Sequence, residues 1–211
     1  MAGCCSHSTC DAGAASPRFR QALWIALGVN AAMFVVEFVA GLAVGSVALW
    51  ADALDFAGDA ANYALSLMVL SWGVLWRARA ALLKGVVMTL FGAAVVVRAL
   101  WAFQHGLVPE PLTMGAVGVL ALLANAGVAL LLYRFRGGDA NMRSVWLCSR
   151  NDAIGNLAVI LAAAGVFGTG SGLPDLVVAL VMSSLALWSG LDIIRHARRD
   201  MAHARQGQPA G

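Results

Sequence analysis

The feature that most constrains this 211-residue sequence is a series of apolar stretches with few or no charged side chains. The stretch from Gly115 to Tyr133, GAVGVLALLANAGVALLLY, has no charged residue. Helical runs of about 20 apolar residues match the hydrocarbon thickness of a bilayer. Hydrophobic residues make up 61% of the chain and charged residues 12%, whereas a soluble domain is about half apolar and a quarter charged. The sequence therefore predicts a membrane protein.

The apolar segments are continuous and do not alternate with period two, so they predict helices and not a β-barrel. We predict an all-α integral membrane fold with six transmembrane helices. The predicted spans are Gln21–Ala43, Ser46–Trp72, Ala81–Phe103, Thr113–Tyr133, Asn141–Phe167 and Pro174–Ile194. This division gives a tail over residues 1–20, a six-helix domain over residues 21–195 and a short basic tail over residues 196–211.

The basic residues predict the orientation of the chain. Lys and Arg flank the links between spans two and three and between spans four and five, and they also precede span one and follow span six. The other links contain no Lys or Arg, and Arg98 near the far end of span three is the exception. The positive-inside rule therefore predicts that both termini are cytoplasmic. We expect the protein to lie in a bacterial inner (plasma) membrane, with the lipid bilayer as its partner. We expect it not to bind nucleic acid.

Span two carries an unusual acidic stripe. Asp52, Asp55, Asp59 and Asn62 follow each other at spacings of three, four and three residues, which put them on one helix face. Ionisable residues inside a bilayer are costly and usually functional. Three stacked carboxylates would repel each other unless a cation or protons were bound.

Span five supplies a matching stripe, with Cys148, Asp152 and Asn156 at four-residue intervals. Two facing helices with such pairs can supply four ligands to one ion. Three carboxylates and one sulfur suit zinc, cadmium or cobalt and do not suit magnesium. The predicted metal ligands are Asp55, Asp59, Cys148 and Asp152.

The four predicted ligands must lie at the same depth in the bilayer, which restricts where the fifth helix can begin. Asp55 and Asp59 lie roughly 14–20 Å from the start of span two, at about 1.5 Å per residue, which is near the bilayer midplane. For Cys148 to reach a similar depth, the fifth helix must begin within Asp139–Met142.

Other polar residues are expected to assist this site without being its ligands: Asp52, Glu37, Asn30, Asn156 and Arg150. Two roles are open for Glu37, which could pair with Arg150 or could help a proton or ion to enter. Asp52 and Asn156 could instead serve as hydrogen-bond partners between helices.

The N-terminal tail holds Cys4, Cys5, His7 and Cys10 within a few positions of each other. Such a group could capture a soft metal before its transfer to the membrane site. The alternative is a disordered tail whose cysteines are incidental.

The run GSVALWADALDFAGDAANY resembles the second helix of the cation diffusion facilitator family. The run SVWLCSRNDAIGN resembles the second metal motif of that family, and Asn30, Glu37 and Gly41 resemble its first helix. The resemblance covers Gln21–Arg195. It implies an exporter of zinc-like divalent metals, with zinc expected first, that works as a homodimer in exchange for protons. The chain would then be neither an enzyme nor the holder of a bound cofactor.

By this resemblance the family's metal ligands fall on Asp55, Asp59 and Asp152. Cys148 stands where the family usually has His or Asp, and a thiolate there would favour softer ions. The chain is expected to be a short form without the family's C-terminal cytoplasmic domain. The rival hypotheses are a proton-coupled exporter of small organic cations, an intramembrane aspartyl enzyme and a metal sensor that does not transport.

Overall fold

The computed structural model describes residues 17–68, 74–135 and 140–206, and within these ranges all regular structure is helical. This confirms the all-α fold and each of the predicted helices. In chain order they are α1 (Pro17–Val44), α2 (Val47–Met68), α3 (Val74–Gln104), α4 (Pro111–Tyr133), α5 (Ala140–Thr169) and α6 (Leu173–Gln206).

Five of the described helices have stretches that are long and apolar enough to cross a membrane: Pro17–Val44, Ala78–Gln104, Pro111–Tyr133, Asp152–Thr169 and Leu173–Ala202. α2 is not among these five helices. Its three aspartates fall within every 18-residue stretch of the helix, so no stretch of that length is poor enough in charge. Large apolar side chains such as Leu130 and Leu161 are exposed on the outside of the bundle, as lipid contact requires. The chain is an integral membrane protein.

The helix ends differ from the predicted spans where a helix leaves the apolar region. α3 begins at Val74 instead of Ala81, and α6 continues to Gln206 instead of ending at Ile194. Hydropathy marks only the part of a helix that lipid surrounds, so a charged continuation is invisible to it. The predicted end of span two at Trp72 lies outside the described residues. α5 begins at Ala140, within the predicted range Asp139–Met142.

α2 lies in the middle of the bundle and contacts α1, α3, α5 and α6. α3 packs closely along α6, because small residues let the two backbones approach. A Cβ atom on Gly85 would lie only 2.9 Å from the backbone oxygen of Gly190. α4 packs on α5 and on α1. The acidic helix is thus enclosed by other helices and does not face lipid.

One end of the bundle, which we call the sealed end, is tightly closed. The N–H of Glu110 donates to the backbone oxygen of Val44 at 3.2 Å, and Gly172 packs directly on the backbone of Leu107. Next to these turns a buried apolar cluster joins α2, α3, α4, α5 and α6. Its members on α2 are Val47, Ala48, Leu49 and Ala51. The predicted topology assigns this end to the extracytoplasmic side.

Glu110 caps the first turn of α4 at the sealed end. Its carboxylate accepts the backbone N–H groups of Leu112 at 2.9 Å and Thr113 at 2.7 Å. Hydrogen bonds from Thr113, and then from the backbone of Leu112, lower the pKa of Glu110 below its usual value.

Candidate metal site

The acidic stripe of α2 lies on the inward side of the helix, as its spacing predicts. Asp52 and Asp59 are buried and Asp55 is partly buried. A buried carboxylate in a membrane helix needs a compensating group. The surroundings of each aspartate therefore decide what the stripe can do.

Asp59 meets α5. Its carboxyl lies within hydrogen-bonding distance of the carboxyl of Asp152. The hydroxyl of Tyr63 donates to Asp59 Oδ2 at 3.1 Å, and the same hydroxyl lies 2.7 Å from Ser149 Oγ. Two carboxyls at this separation repel each other unless a proton or a cation lies between them. The structure thus brings together two of the predicted ligands, Asp59 and Asp152.

Asp52 belongs to a separate hydrogen-bonded chain nearer the sealed end. The amide Nδ2 of Asn156 donates to Asp52 Oδ2 at 2.7 Å, and Asn125 Nδ2 donates to Asn156 Oδ1 at 2.9 Å. The chain links α2, α5 and α4 through groups that are all buried. The prediction that Asp52 and Asn156 bond between helices is confirmed.

Glu37 is fully buried and faces Asp52 across the α1–α2 contact. The predicted pairing of Glu37 with Arg150 is wrong, because neither carboxyl oxygen of Glu37 accepts a hydrogen bond from the described residues and Arg150 is exposed. Glu37 lies near the end of α1 at the sealed end, whereas Arg150 lies in the half of α5 that points away from it. Asn30, on the same face of α1, is buried and donates to the backbone oxygen of Ala26 at 2.8 Å.

The side chain of Cys148 lies outside the described residues. The helix backbone does include this position, four residues before Asp152 and so on the same face. The predicted capture group, Cys4, Cys5, His7 and Cys10, also lies outside the described residues. Within the described part of the chain, no three His, Cys, Asp or Glu side chains are gathered as a metal site. The set of four ligands therefore stays a prediction.

Sequence reasoning missed Lys84 as part of the site. The positive-inside pattern treats the Lys and Arg residues next to this link only as topology signals, but the ammonium of Lys84 donates to Asn62 Oδ1 of α2 and its charge acts on Asp59. Its position within α3, inside the membrane domain, was an available signal. Sequence reasoning also missed Tyr63, whose hydroxyl orients Asp59.

Sequence reasoning also missed the junction at the sealed end, which is built around Asp175 of α6. Its carboxylate accepts Ser46 Oγ at 2.6 Å and the backbone N–H groups of Val47 at 2.9 Å and Ala48 at 3.1 Å. Asp175 thus caps the N-terminus of α2 from another helix. The charge of Arg98, the exception to the positive-inside pattern, acts on Asp175.

The fold and this arrangement define a class, a helical membrane protein with facing carboxylates inside its bundle. The chain matches the family model of the cation efflux transmembrane domain over residues 23–79 and 75–202. It belongs to the cation diffusion facilitator family. The resemblance of the α1, α2 and α5 motifs to that family is thereby confirmed.

Named relatives agree with this assignment. The chain is 25% identical over 209 residues to the zinc transporter ZitB of Escherichia coli (strain K12), covering 93% of this chain and 67% of ZitB. It is 24% identical over 209 residues to the cadmium, cobalt and zinc/H(+)-K(+) antiporter of Bacillus velezensis, covering 90% of this chain and 64% of that protein. The protein of the same name from Bacillus subtilis is 22% identical over 194 residues, covering 83% and 61%. The chain spans roughly two thirds of the length of these relatives.

Proposed function

We propose that this chain is a secondary active transporter that exports a divalent transition-metal ion in exchange for protons. One observation carries the proposal: the carboxyls of Asp59 on α2 and Asp152 on α5 face each other inside a membrane bundle. The names of the relatives support zinc, cadmium and cobalt as substrates and protons as the exchanged ion. On this proposal the chain is not an enzyme, and it functions in the bacterial plasma membrane as a homodimer.

The proposed ligands are Asp55, Asp59, Asp152 and Cys148. The first three supply hard oxygen atoms and the fourth a soft thiolate, a mixture that zinc, cadmium and cobalt accept in tetrahedral geometry. Zinc is the first expectation. Tyr63 supports the set from outside, because its hydrogen bond to Asp59 Oδ2 fixes the direction of that carboxylate.

Closure of one end supports alternating access. The apolar cluster at Val47–Ala51 closes the route from the ligands to the sealed end, so the substrate would enter from the other, cytoplasmic end. The carboxylates would bind it as anions. Opening of the sealed end would then expose the site to the outside, where protons compete for the same oxygens and release the metal.

Lys84 fits this cycle as an internal counter-charge. Its charge acts on Asp59 when no metal is bound, which reduces the cost of burying a carboxylate. An arriving divalent ion would take over that role. The aspartates would then never lie in the bundle without a compensating charge.

The test is metal-driven proton flux in proteoliposomes that contain the full chain. A zinc gradient should drive opposite proton movement in the wild type, and Asp59→Asn should abolish it because one ligand charge is lost. Asp200→Asn is the matched control, since Asp200 is exposed near the end of α6. Full activity in Asp59→Asn would refute the site, and no flux with zinc, cadmium or cobalt in the wild type would refute the function.

A further inference from the structure

Glu37 of α1 and Asp52 of α2 form a second acidic group, which we call the carboxyl pair. Their carboxyls lie within hydrogen-bonding distance of each other. Glu37 has 0% of its surface exposed and Asp52 has 2%, so both are shielded from bulk solvent. Neither Oε1 nor Oε2 of Glu37 accepts a hydrogen bond from any donor in the described part of the chain.

The hydrogen-bond donors around the carboxyl pair are already used. Asn156 Nδ2 donates to Asp52 at 2.7 Å. Asn156 Oδ1 accepts Asn125 Nδ2 at 2.9 Å, which fixes the amide so that its N–H groups face Asp52. The asparagines therefore stabilise Asp52 and leave Glu37 without a donor.

The charged groups around the carboxyl pair do not neutralise it. Asp55 acts on Glu37 through its charge and without a hydrogen bond, and it adds to the repulsion. On α5, Asp152 lies one turn from Asn156 and is also acidic. The neighbouring α3 carries four basic residues, and two of them act elsewhere, Lys84 on Asp59 and Arg98 on Asp175.

Two facing carboxyls with no donor between them are stabilised by a shared proton, because a protonated carboxyl donates the hydrogen bond that its partner accepts. The carboxyl pair therefore fits a shared proton, with Asp52 also held by Asn156.

We propose that the Glu37–Asp52 carboxyl pair is a proton-binding site separate from the metal ligands, and that it carries a proton that drives export. Its position along α2 supports this role. The sealed end lies at Val47–Ala51, the pair at Asp52, and the proposed ligands begin at Asp55. A proton entering when the sealed end opens would reach the pair before it reached the ligands.

The link to the metal site runs through α2 and α5. These two helices carry Asp59 and Asp152 as well as Asp52 and Asn156. A movement of α2 against α5 that accommodates a metal ion also changes the Asn156–Asp52 hydrogen bond, on which the retention of the proton depends. In each cycle one proton from outside would bind between Glu37 and Asp52 and leave to the cytoplasm. This transport role rests on the proposed function, but the presence of the proton does not.

The proton is tested without transport by infrared spectroscopy of the full chain in detergent. We expect a protonated-carboxyl C=O band that shifts in heavy water and weakens in Glu37→Gln, because a glutamine amide donates to Asp52 and makes the proton of this pair unnecessary. Asp200→Asn should keep the band. A band of wild-type strength in Glu37→Gln would overturn the proposal.

A second measurement needs no variant. Dicyclohexylcarbodiimide modifies protonated carboxyls in apolar surroundings, so mass spectrometry of the treated wild type should find the label on Glu37 or Asp52. Absence of label on both, with label on other membrane carboxyls, would overturn the proposal.

The separation from the metal site is tested by zinc binding and zinc-driven proton flux in Glu37→Gln. We expect zinc affinity within about threefold of the wild type and loss of the coupled flux. Loss of zinc binding would assign Glu37 to the metal site, and full coupled flux would remove its proton role, so either result overturns the proposal. If the wild type itself gives no flux, the proposed function fails, while the infrared band still decides whether the proton site exists.

Discussion

Removal of the carboxylate that caps α2 should destabilise the bundle strongly. Asp175→Ala deletes three hydrogen bonds, at 2.6, 2.9 and 3.1 Å, and leaves the hydroxyl of Ser46 and two backbone N–H groups without their acceptor. Hydrogen bonds to a charged group are each worth about 1.5–3 kcal/mol. Loss of a helix cap alone costs about 0.5–2 kcal/mol. The substitution also removes the cost of burying the Asp175 charge, which offsets part of the lost hydrogen bonding. We therefore expect the free energy of unfolding to fall by about 3 kcal/mol.

The assay is equilibrium unfolding of the purified chain in mixed micelles with increasing fraction of a denaturing detergent. Asp175→Asn keeps one acceptor oxygen and should lose about 1–2 kcal/mol. Asp192→Ala on the same helix is the matched control, because Asp192 lies partly exposed beside His196, and it should stay within about 0.5 kcal/mol of the wild type. Unfolding of Asp175→Ala at the wild-type midpoint would refute the reasoning, since the capping bonds would then contribute nothing.

Glu110→Gln should destabilise the chain at neutral pH, with a difference from the wild type that disappears in acid. The pKa of Glu110 is lowered by folding, so its carboxylate stabilises the fold above the unfolded pKa, and this contribution is lost as pH falls through the folded pKa. Unfolding curves over a pH series measure this, and a difference that does not depend on pH would contradict it. Cys148→His should shift uptake in proteoliposomes from cadmium towards zinc, because imidazole is a harder ligand than thiolate. Unchanged ratios among zinc, cadmium and cobalt would exclude Cys148 as a ligand.

The sequence was sufficient to predict the helices and the direction of the acidic stripe. Apolar runs long enough to cross a bilayer have few alternatives to a helix, because backbone groups in lipid must bond within their own segment. The start of α5 at Ala140 was predictable from the depth that Cys148 needs, although GGDANMR is polar. The inward direction of Asp52 and Asp59 followed from their spacing alone.

Contacts between helices were harder to predict, since helix spacing does not specify which neighbour a side chain meets. One of the two roles expected for Glu37, pairing with Arg150, rested on charge alone and is wrong, because α1 packs on α2 at the sealed end and Glu37 faces Asp52 there. Opposite charge is a weak guide inside a membrane, where two carboxyls can share a proton. Asp175 at α2 could not be expected from either helix alone, because its partners lie more than 120 residues away in the chain.

Anomalous diffraction from zinc-loaded crystals of the full chain tests the central claim most directly. The account predicts a strong zinc peak between α2 and α5, about 2.0–2.2 Å from carboxylate oxygens of Asp59 and Asp152. The carboxyl pair of Glu37 and Asp52 should show no peak, because it holds a proton. A zinc peak away from Asp59 and Asp152 in a chain that transports zinc would contradict the account.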